Sequence, residues 1–310
     1  MVKIIVVGSF IIDLAISTPK YPRDGETVIG NSLKIGPGGK GSNQATAARK
    51  AGAEVVMVTK IGRDFLSGIA RDHYSSLGMT QKYVYEDPEH STGAASIEVH
   101  AGTGENRIII MKGANDYITE EDVMKAEDEF KDCDAVLLQL ETSFIATKTA
   151  VKLAKKYGKK VILNTAPLQP IDESIFADCD FITPNETEAE FFSGVTVTDI
   201  DSARKAADVL LKKGAKNVII TLGKKGVYVK TDELDMIVPP YKVKRVDTTG
   251  AGDAFNGGFT VGLAEGMDVL SAIKFANALA SISVSRFGTS PAMPTREEIE
   301  DMLAHGEIEE

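Results

Sequence analysis

The residues best suited to chemistry lie in VDTTGAGDAFNGG, where Gly250, Ala251 and Gly252 lead into a helical stretch that starts near Asp253. Small residues let backbone N–H groups converge on an anion, and a helix N-terminus adds about half a positive charge. A carboxylate at the mouth of such a site repels a bound phosphate. It has a use there if it takes the proton of a hydroxyl that attacks the phosphate. The same residues also fit a plainer reading, an acid in the first turn of a helix whose later Gly257, Gly258 and Gly262 admit close packing.

A second cluster, GPGGKGSNQATAARKAGA, holds Gly39, Lys40, Gly41, Ser42 and Asn43. Gly36 to Gly41 formally match G-x-G-x-x-G, the dinucleotide fingerprint. The preceding strand, however, does not open a βαβ unit. The acid expected after the next strand is also misplaced: EVVMVTKIG begins with Glu54, and Asp64 comes late. Hydride chemistry fits poorly. A Walker A loop fails because Lys40 is followed by glycine.

TPNETEAEFF puts Asn185, Glu186 and Glu188 at a helix start directly after a buried strand. Acids there complement the helix dipole. They also lie at the carboxyl end of a strand, where open α/β sheets bind ligands, and hydrated Mg²⁺ needs few protein carboxylates. Both readings stand. TLGKKG, from Thr221 to Gly226, ends another strand in a glycine turn and alone reads as a hairpin.

The elements that must position these groups alternate. Apolar runs KIIVVGSFIID, EVVMVTKIG, AVLLQLE, KKVILNTAP, FITPN and NVIITLG are separated by helical patterns. TEEDVMKAEDEF starts at Thr119 as N-cap, with Asp122 one methylene short of the Glu of a full capping box. The alternation predicts an α/β fold, a mainly parallel sheet with helices on both faces. Two strand-rich stretches, about 15–37 and 91–112, break the rhythm; the second reads as a hairpin around AGTGE. They predict a small β-sheet inserted into a single domain of residues 1–310. KKGVYVKTDELDMIVPP predicts an edge hairpin.

Composition narrows the function classes. A chain of 310 residues, 43% hydrophobic and 26% charged, can bury a core without staples and is not disordered, collagenous or a coiled coil. A net charge of -10 argues against nucleic-acid binding by broad phosphate neutralisation. No apolar run of about 18 residues marks a membrane span. MVKIIVVGSF enters a strand directly, without a signal-peptide layout. The cysteines, Cys133 and Cys179, make no disulfide framework, which leaves a reducing cytoplasm as the expected location. His73, His90, His100 and His305 show no zinc-ligand spacing.

Taken together and in order, VVGSFIID, GETVIG, GGKGSNQA, KGAN, LLQLE, NTAP, TPNETEAE, ITLGKKG, VDTTGAGDAFNG and SRFGTSPAMPTREE resemble the ribokinase-type sugar kinase family over nearly the whole chain. The resemblance implies an α/β core with a small β-lid and ATP-dependent phosphorylation of a sugar's primary hydroxyl, with D-ribose the first expectation. Fructose, 2-keto-3-deoxygluconate, deoxyribose and nucleosides are the alternatives within the family.

By position, the resemblance makes Asp253 the catalytic base and Gly250, Ala251 and Gly252 the anion hole. It puts Ile11, Asp13, Gly39, Lys40, Gly41, Ser42, Asn43 and Glu141 in the sugar pocket. Asn185, Thr221, Leu222, Gly223, Lys224, Lys225, Gly226, Gly252 and Asn277 fall on nucleotide positions, and Glu188 on the position that organises Mg²⁺ through water. Activation by a monovalent cation, usually K⁺, is implied at Asp247, Thr249, Ser283, Arg286, Gly288 and Ala292, mostly through carbonyls. The resemblance also implies a homodimer formed through the lid.

Two residues depart from the family pattern. Some members carry Asn where this chain has Ile11, and some use a Ser hydroxyl on the cation where this chain has Ala292. Ile11 bears on the choice of sugar, and Ala292 predicts a weaker response to K⁺.

Overall fold

A computed structural model describes residues 1–309. Its strands are β1 (Lys3–Val7), β2 (Ile11–Thr18), β3 (Ser32–Gly38), β4 (Glu54–Gly62), β5 (Val84–Asp87), β6 (Gly93–His100), β7 (Asn106–Met111), β8 (Ala135–Leu138), β9 (Lys160–Leu163), β10 (Phe181–Ile182), β11 (Val218–Thr221), β12 (Val227–Lys230) and β13 (Asp235–Val238). The α-helices are α1 (Lys40–Lys50), α2 (Ser67–Ser76), α3 (Glu120–Met124), α4 (Glu127–Asp132), α5 (Phe144–Lys156), α6 (Glu186–Ser193), α7 (Ile200–Lys212), α8 (Ala251–Ala264), α9 (Val269–Ser283) and α10 (Arg296–His305).

Nine strands form the main sheet in the order β13-β12-β11-β10-β9-β8-β1-β4-β5. It is parallel from β11 through β5, and β12 and β13 add the expected antiparallel edge hairpin. The central strand shows why its sequence is continuously apolar. Ile4 and Val6 pack with α1, α8 and α9 on one face, while Ile5 and Val7 pack with α5, α6 and α7 on the other. A strand covered on both faces has no polar side to show.

The smaller sheet has the order β3-β2-β6-β7, with β2 and β6 parallel and both outer pairs antiparallel. It begins at Ile11, ahead of the boundary expected near Ala15. The run KIIVVGSFIID is therefore two strands in two sheets, not one. Gly8 makes the break possible: a Cβ there would come 2.6 Å from Gly41 Cα. Asn115 then holds the crossing, accepting from Phe10 N–H at 3.0 Å and donating to Phe10 C=O at 2.8 Å, as a neighbouring strand would.

The segment expected as one helix from Thr119 divides into α3 and α4. Its capping box is complete: Thr119 Oγ1 accepts from Asp122 N–H at 3.1 Å, and Asp122 Oδ2 accepts from Thr119 N–H at 2.9 Å. The shorter acid suffices. No helix of the described residues is long and apolar enough to cross a membrane.

Candidate active site

The chemistry-bearing residues gather beyond the carboxyl ends of β1, β8, β9, β10 and β11, where open α/β sheets place ligands. Helix α8 points its N-terminus at this region. Gly250 is its N-cap at φ 76°, a left-handed conformation that glycine adopts without strain, and no side chain of the N-cap satisfies the first turn. A Cβ on Gly252 would meet nothing within 4 Å. The first turn thus opens on space: Ala251 N–H turns back to Thr248 C=O at 3.2 Å, and the N–H groups of Gly250 and Gly252 are left to an anion.

Asp253 stands in that turn and is 6% exposed. Asn43 Nδ2 donates to its Oδ2 and Gln44 Nε2 to its Oδ1, each at 3.0 Å. Both donors come from α1. Lys40, Asn43 and Gln44 share one helical face by their spacing. That spacing is the signal that could have added Gln44 to the predicted set.

The glycines before α1 are there for close backbone approach. A Cβ on Gly39 would come 2.7 Å from Ile11 N, and one on Gly41 2.4 Å from Ser9 N. Both are packed against protein backbone, and β3 lies in the smaller sheet, so the G-x-G-x-x-G match lacks the βαβ setting of a dinucleotide site. Glu141 fastens this corner, accepting from Ser9 Oγ at 2.5 Å and from Lys40 N–H at 2.8 Å. Ser42 is fully buried, and its N–H donates to Ser9 C=O.

Asp13 completes an acidic cluster. Burial first, then the charges of Glu141 and Asp253, push its carboxyl up to about 6. Lys40 is the counter-charge. Burial pulls its ammonium down, but Asp253, Glu141 and Glu188 outweigh burial and hold it above its ordinary value. Ile11 shares the Asp13 face of β2, is 2% exposed and belongs to neither core cluster, whereas Phe10 and Ile12 are core.

Adjoining the cluster is a cleft of about 450 Å³ lined by Lys40, Asn185, Glu188, Thr221, Gly223, Lys224, Gly226, Gly250 to Asp253 and Asn277. Asn185 and Glu188 form a reciprocal capping box at the start of α6. Burial raises the Glu188 carboxyl, offset in part by the Asn185 N–H and the Lys40 charge. Asn277 spends its amide on Val238 and Pro239 carbonyls. Leu222 packs in the core and Lys225 turns to Thr198 C=O, so neither lines the cleft.

The predicted cation set lies beside the cleft. Asp247 accepts from Thr249 N–H at 2.9 Å and Gly288 N–H at 3.0 Å, tying two loops together. Ser283 Oγ donates to Ala280 C=O and Arg286 pairs with Glu298, so these side chains are already engaged. Ala292 is buried and brings no side-chain oxygen. Ser9, Gln44, Asn115, Gln139, Asn164 and Ser290 are site-building residues for which sequence reasoning gave no role; outside Gln44, nothing in their local spacing announces them.

Residues 1–296 match the pfkB family of carbohydrate kinases. The chain belongs to that family. A ribokinase of Haemophilus influenzae is 41% identical over 300 residues, 97% of this chain and 98% of its own. A deoxyribokinase of Salmonella typhi is 40% identical over 305 residues, 98% and 99% of the two chains. The structure of an Arabidopsis thaliana ribokinase complexed with ribose and ATP superposes with a TM-score of 0.88 at 29% identity, over 98% of this chain and 100% of that one. As a pfkB-family member this chain is a kinase that transfers phosphate to a carbohydrate alcohol. The mainly parallel sheet, flanking helices and second small sheet are the family architecture.

Proposed function

We propose that the chain transfers the γ-phosphoryl group of ATP to the primary hydroxyl of D-ribose, giving D-ribose 5-phosphate. The observation that carries this reading is the Asp253 carboxylate. It is buried in the open first turn of α8, between the acidic sugar-side cluster and the nucleotide-side cleft. Asp253 orients the sugar hydroxyl and takes its proton as the bond to phosphorus forms, while the N–H groups of the Gly250–Gly252 turn hold the developing charge, Ala251 N–H leaving Thr248 C=O to join those of Gly250 and Gly252. Asp13, Asn43, Glu141 and Lys40 offer polar partners to the sugar, and the Lys40 ammonium offsets the charges of Asp253, Glu141 and Glu188. The smaller sheet serves as a lid on one α/β domain of residues 1–310 and keeps water from competing as acceptor.

Asn185 and Glu188 suit a hydrated Mg²⁺, because they offer oxygen donors and a buried carboxylate at the cleft wall. An ion held there would offset the negative charge of the nucleotide phosphates. Asp247, Thr249, Ser283, Arg286, Gly288 and Ala292 suit K⁺ held mostly by carbonyls, since Asp247 already joins the two loops that would supply them. Leu33, Ile35, Ile109 and Met111 expose apolar surface on the smaller sheet, which supports a homodimer formed there. A cytoplasmic location suits an ATP-consuming enzyme with two buried free thiols.

A second reading, 2-deoxyribose as acceptor, is favoured by Ile11, which offers no partner to a hydroxyl on the sugar face of β2. A coupled kinase assay across ribose, 2-deoxyribose, fructose and nucleosides tests both. Ribose should have the highest kcat/KM. If 2-deoxyribose exceeds it, the second reading replaces the first; fructose or a nucleoside ahead of both pentoses would overturn each.

A further inference from the structure

Each amide that faces Asp253 is itself held from behind. Ser290 Oγ donates to Asn43 Oδ1 at 2.9 Å, at the end opposite the Asn43 Nδ2 that meets Asp253. Gln139 Nε2 donates to Gln44 Oε1 at 2.7 Å, opposite the Gln44 Nε2 that meets Asp253. A side-chain amide presents either nitrogen or oxygen to a neighbour, and only the nitrogen attracts a carboxylate. The partner at the far end bears on which. Where it donates it meets the oxygen and leaves the nitrogen for Asp253, and Gln44 Nε2 is drawn the same way by Asn164 Oδ1 at 3.0 Å.

Both rear donors are buried, Ser290 at 2% and Gln139 at 0% exposure. Gln139 gives up something for this. Its Oε1 has no hydrogen-bond partner among the described residues, and it occupies the space where a Cβ on Gly8 would come within 2.3 Å. A buried carbonyl without a donor is costly, and turning the amide over would set oxygen against Gln44 Oε1 instead. Ser290 is likewise fixed: Lys50 Nζ donates to Met293 C=O at 2.8 Å, which pins the turn at Ser290–Ala292 to the end of α1. That turn continues the stretch that carries Gly288 and Ala292. Any rearrangement of the loop thus reaches Asp253 through Ser290 and Asn43.

We propose that Ser290 and Gln139 are positioning residues for phosphoryl transfer, which fix the Asn43 and Gln44 amides nitrogen-first on the Asp253 carboxylate and so set its direction toward the attacking hydroxyl. The inference rests on Asp253 as the base. Without the rear donor an amide keeps its contact to Asp253 but loses a contact that holds it nitrogen-first, and whatever fraction turns sets an oxygen against the carboxylate.

The test is steady-state kinetics of Ser290→Ala, Ser290→Thr, Gln139→Leu and Asp253→Asn in the full chain, with thermal unfolding of each. Ser290→Ala and Gln139→Leu should each lower kcat about tenfold while KM for ATP changes less than about twofold. Ser290→Thr keeps the hydroxyl and should recover most of kcat. In an Asn43→Ala background, Ser290→Ala should add less than about a twofold loss, because the group it orients is gone. Full turnover by Ser290→Ala and Gln139→Leu beside an inactive Asp253→Asn would overturn this inference and leave the base standing. Equal losses in Ser290→Ala and Ser290→Thr, additive with Asn43→Ala, would reduce Ser290 to packing and overturn it as well. Active Asp253→Asn would remove the base and the inference together. If Ser290→Ala does not fold, Ser290→Cys, of similar size with a weaker donor, carries the same expectation at an intermediate loss.

Discussion

The Asp13 carboxylate lies against Gly38 of the neighbouring strand, where a Cβ would come within 2.3 Å of Oδ2 and 2.5 Å of Cγ. Glycine at 38 is therefore the space that Asp13 occupies. Gly38→Ala must either push the carboxylate away or part β2 from β3. We expect KM for ribose to rise roughly tenfold or more, corresponding to the loss of one hydrogen bond to a charged group. ATP binding, on the other side of Asp253, should be unaffected. An unchanged KM for ribose would remove Asp13 from the sugar pocket.

The acidic cluster predicts a stability and function trade at Asp13. Its folded value of about 6 lies above the ordinary carboxylate value, so the charged form is disfavoured by folding. Stability held at acid pH is thus lost as pH rises from about 4 to about 6, on the order of 2–3 kcal/mol for this group. Asp13→Asn does not titrate and escapes that loss. It should melt higher than wild type at pH 8, by a margin that shrinks as pH falls from about 6 toward about 4, and fail to turn over ribose. In the wild type, KM for ribose should fall as pH rises through 6, because the carboxylate is the form that accepts sugar hydroxyls. A pH-independent KM between 5 and 8 contradicts this assignment.

Asp253→Asn should keep nucleotide affinity and lose turnover by about 10²–10⁴-fold, the usual worth of a positioned base. Asparagine keeps one of the two oxygens, so either Asn43 or Gln44 loses its acceptor and the melting temperature should fall while the chain still folds. Calorimetry with ATP alongside the kinase assay separates binding from transfer. Turnover within a few-fold of wild type would sink the role given to Asp253.

Much of this was legible before folding. The strand and helix alternation gave the main sheet, because a strand apolar on both faces has few other places to go. The two strand-rich interruptions gave the smaller sheet. Gly250 to Asp253 was legible because its anion site and its acid are adjacent in sequence. What stayed hidden was built across long separations. Gln139 and Ser290 meet the α1 amides from elsewhere in the chain, and nothing local at either position marks it. The break at Gly8 to Phe10 was hidden for the same reason, since its brace is Asn115. Asp122 was misjudged by one methylene: a compact first turn brings even the shorter acid within 2.9 Å of the Thr119 N–H.

The cation reading predicts a salt effect of specific kind. Asp247 joins Thr249 and Gly288 just ahead of Gly250. An ion at that junction would stiffen the anion turn without touching substrate. Replacing Na⁺ or a bulky organic cation by K⁺ at constant ionic strength should raise kcat, by less than in relatives with Ser at the Ala292 position. Asp247→Ala should abolish the difference between salts. Equal rates in every monovalent salt would count against the site.

Ile11 offers the sharpest test of sugar choice. It is as buried as a core residue yet belongs to neither core cluster, and it shares a strand face with Asp13. Across β6 it stands opposite Gly93, where a Cβ would lie 3.1 Å from Ile11 Cγ1 and 2.7 Å from Asn115 Nδ2. An apolar group on this face leaves a sugar hydroxyl without a partner, at a cost of about 1–3 kcal/mol. Ile11→Asn supplies that partner. KM for ribose should fall with little change in kcat, because the added contact is made equally in the ground and transition states. KM for 2-deoxyribose should fall less if the unpaired hydroxyl is the one that sugar lacks. An Asn at 11 that never meets the ligand would instead be a buried amide with no assured partner, and would act only on stability. Ribose and 2-deoxyribose kinetics beside the melting temperature of the single variant separate the two cases: an unchanged KM with a lower melting temperature would take Ile11 out of the sugar pocket.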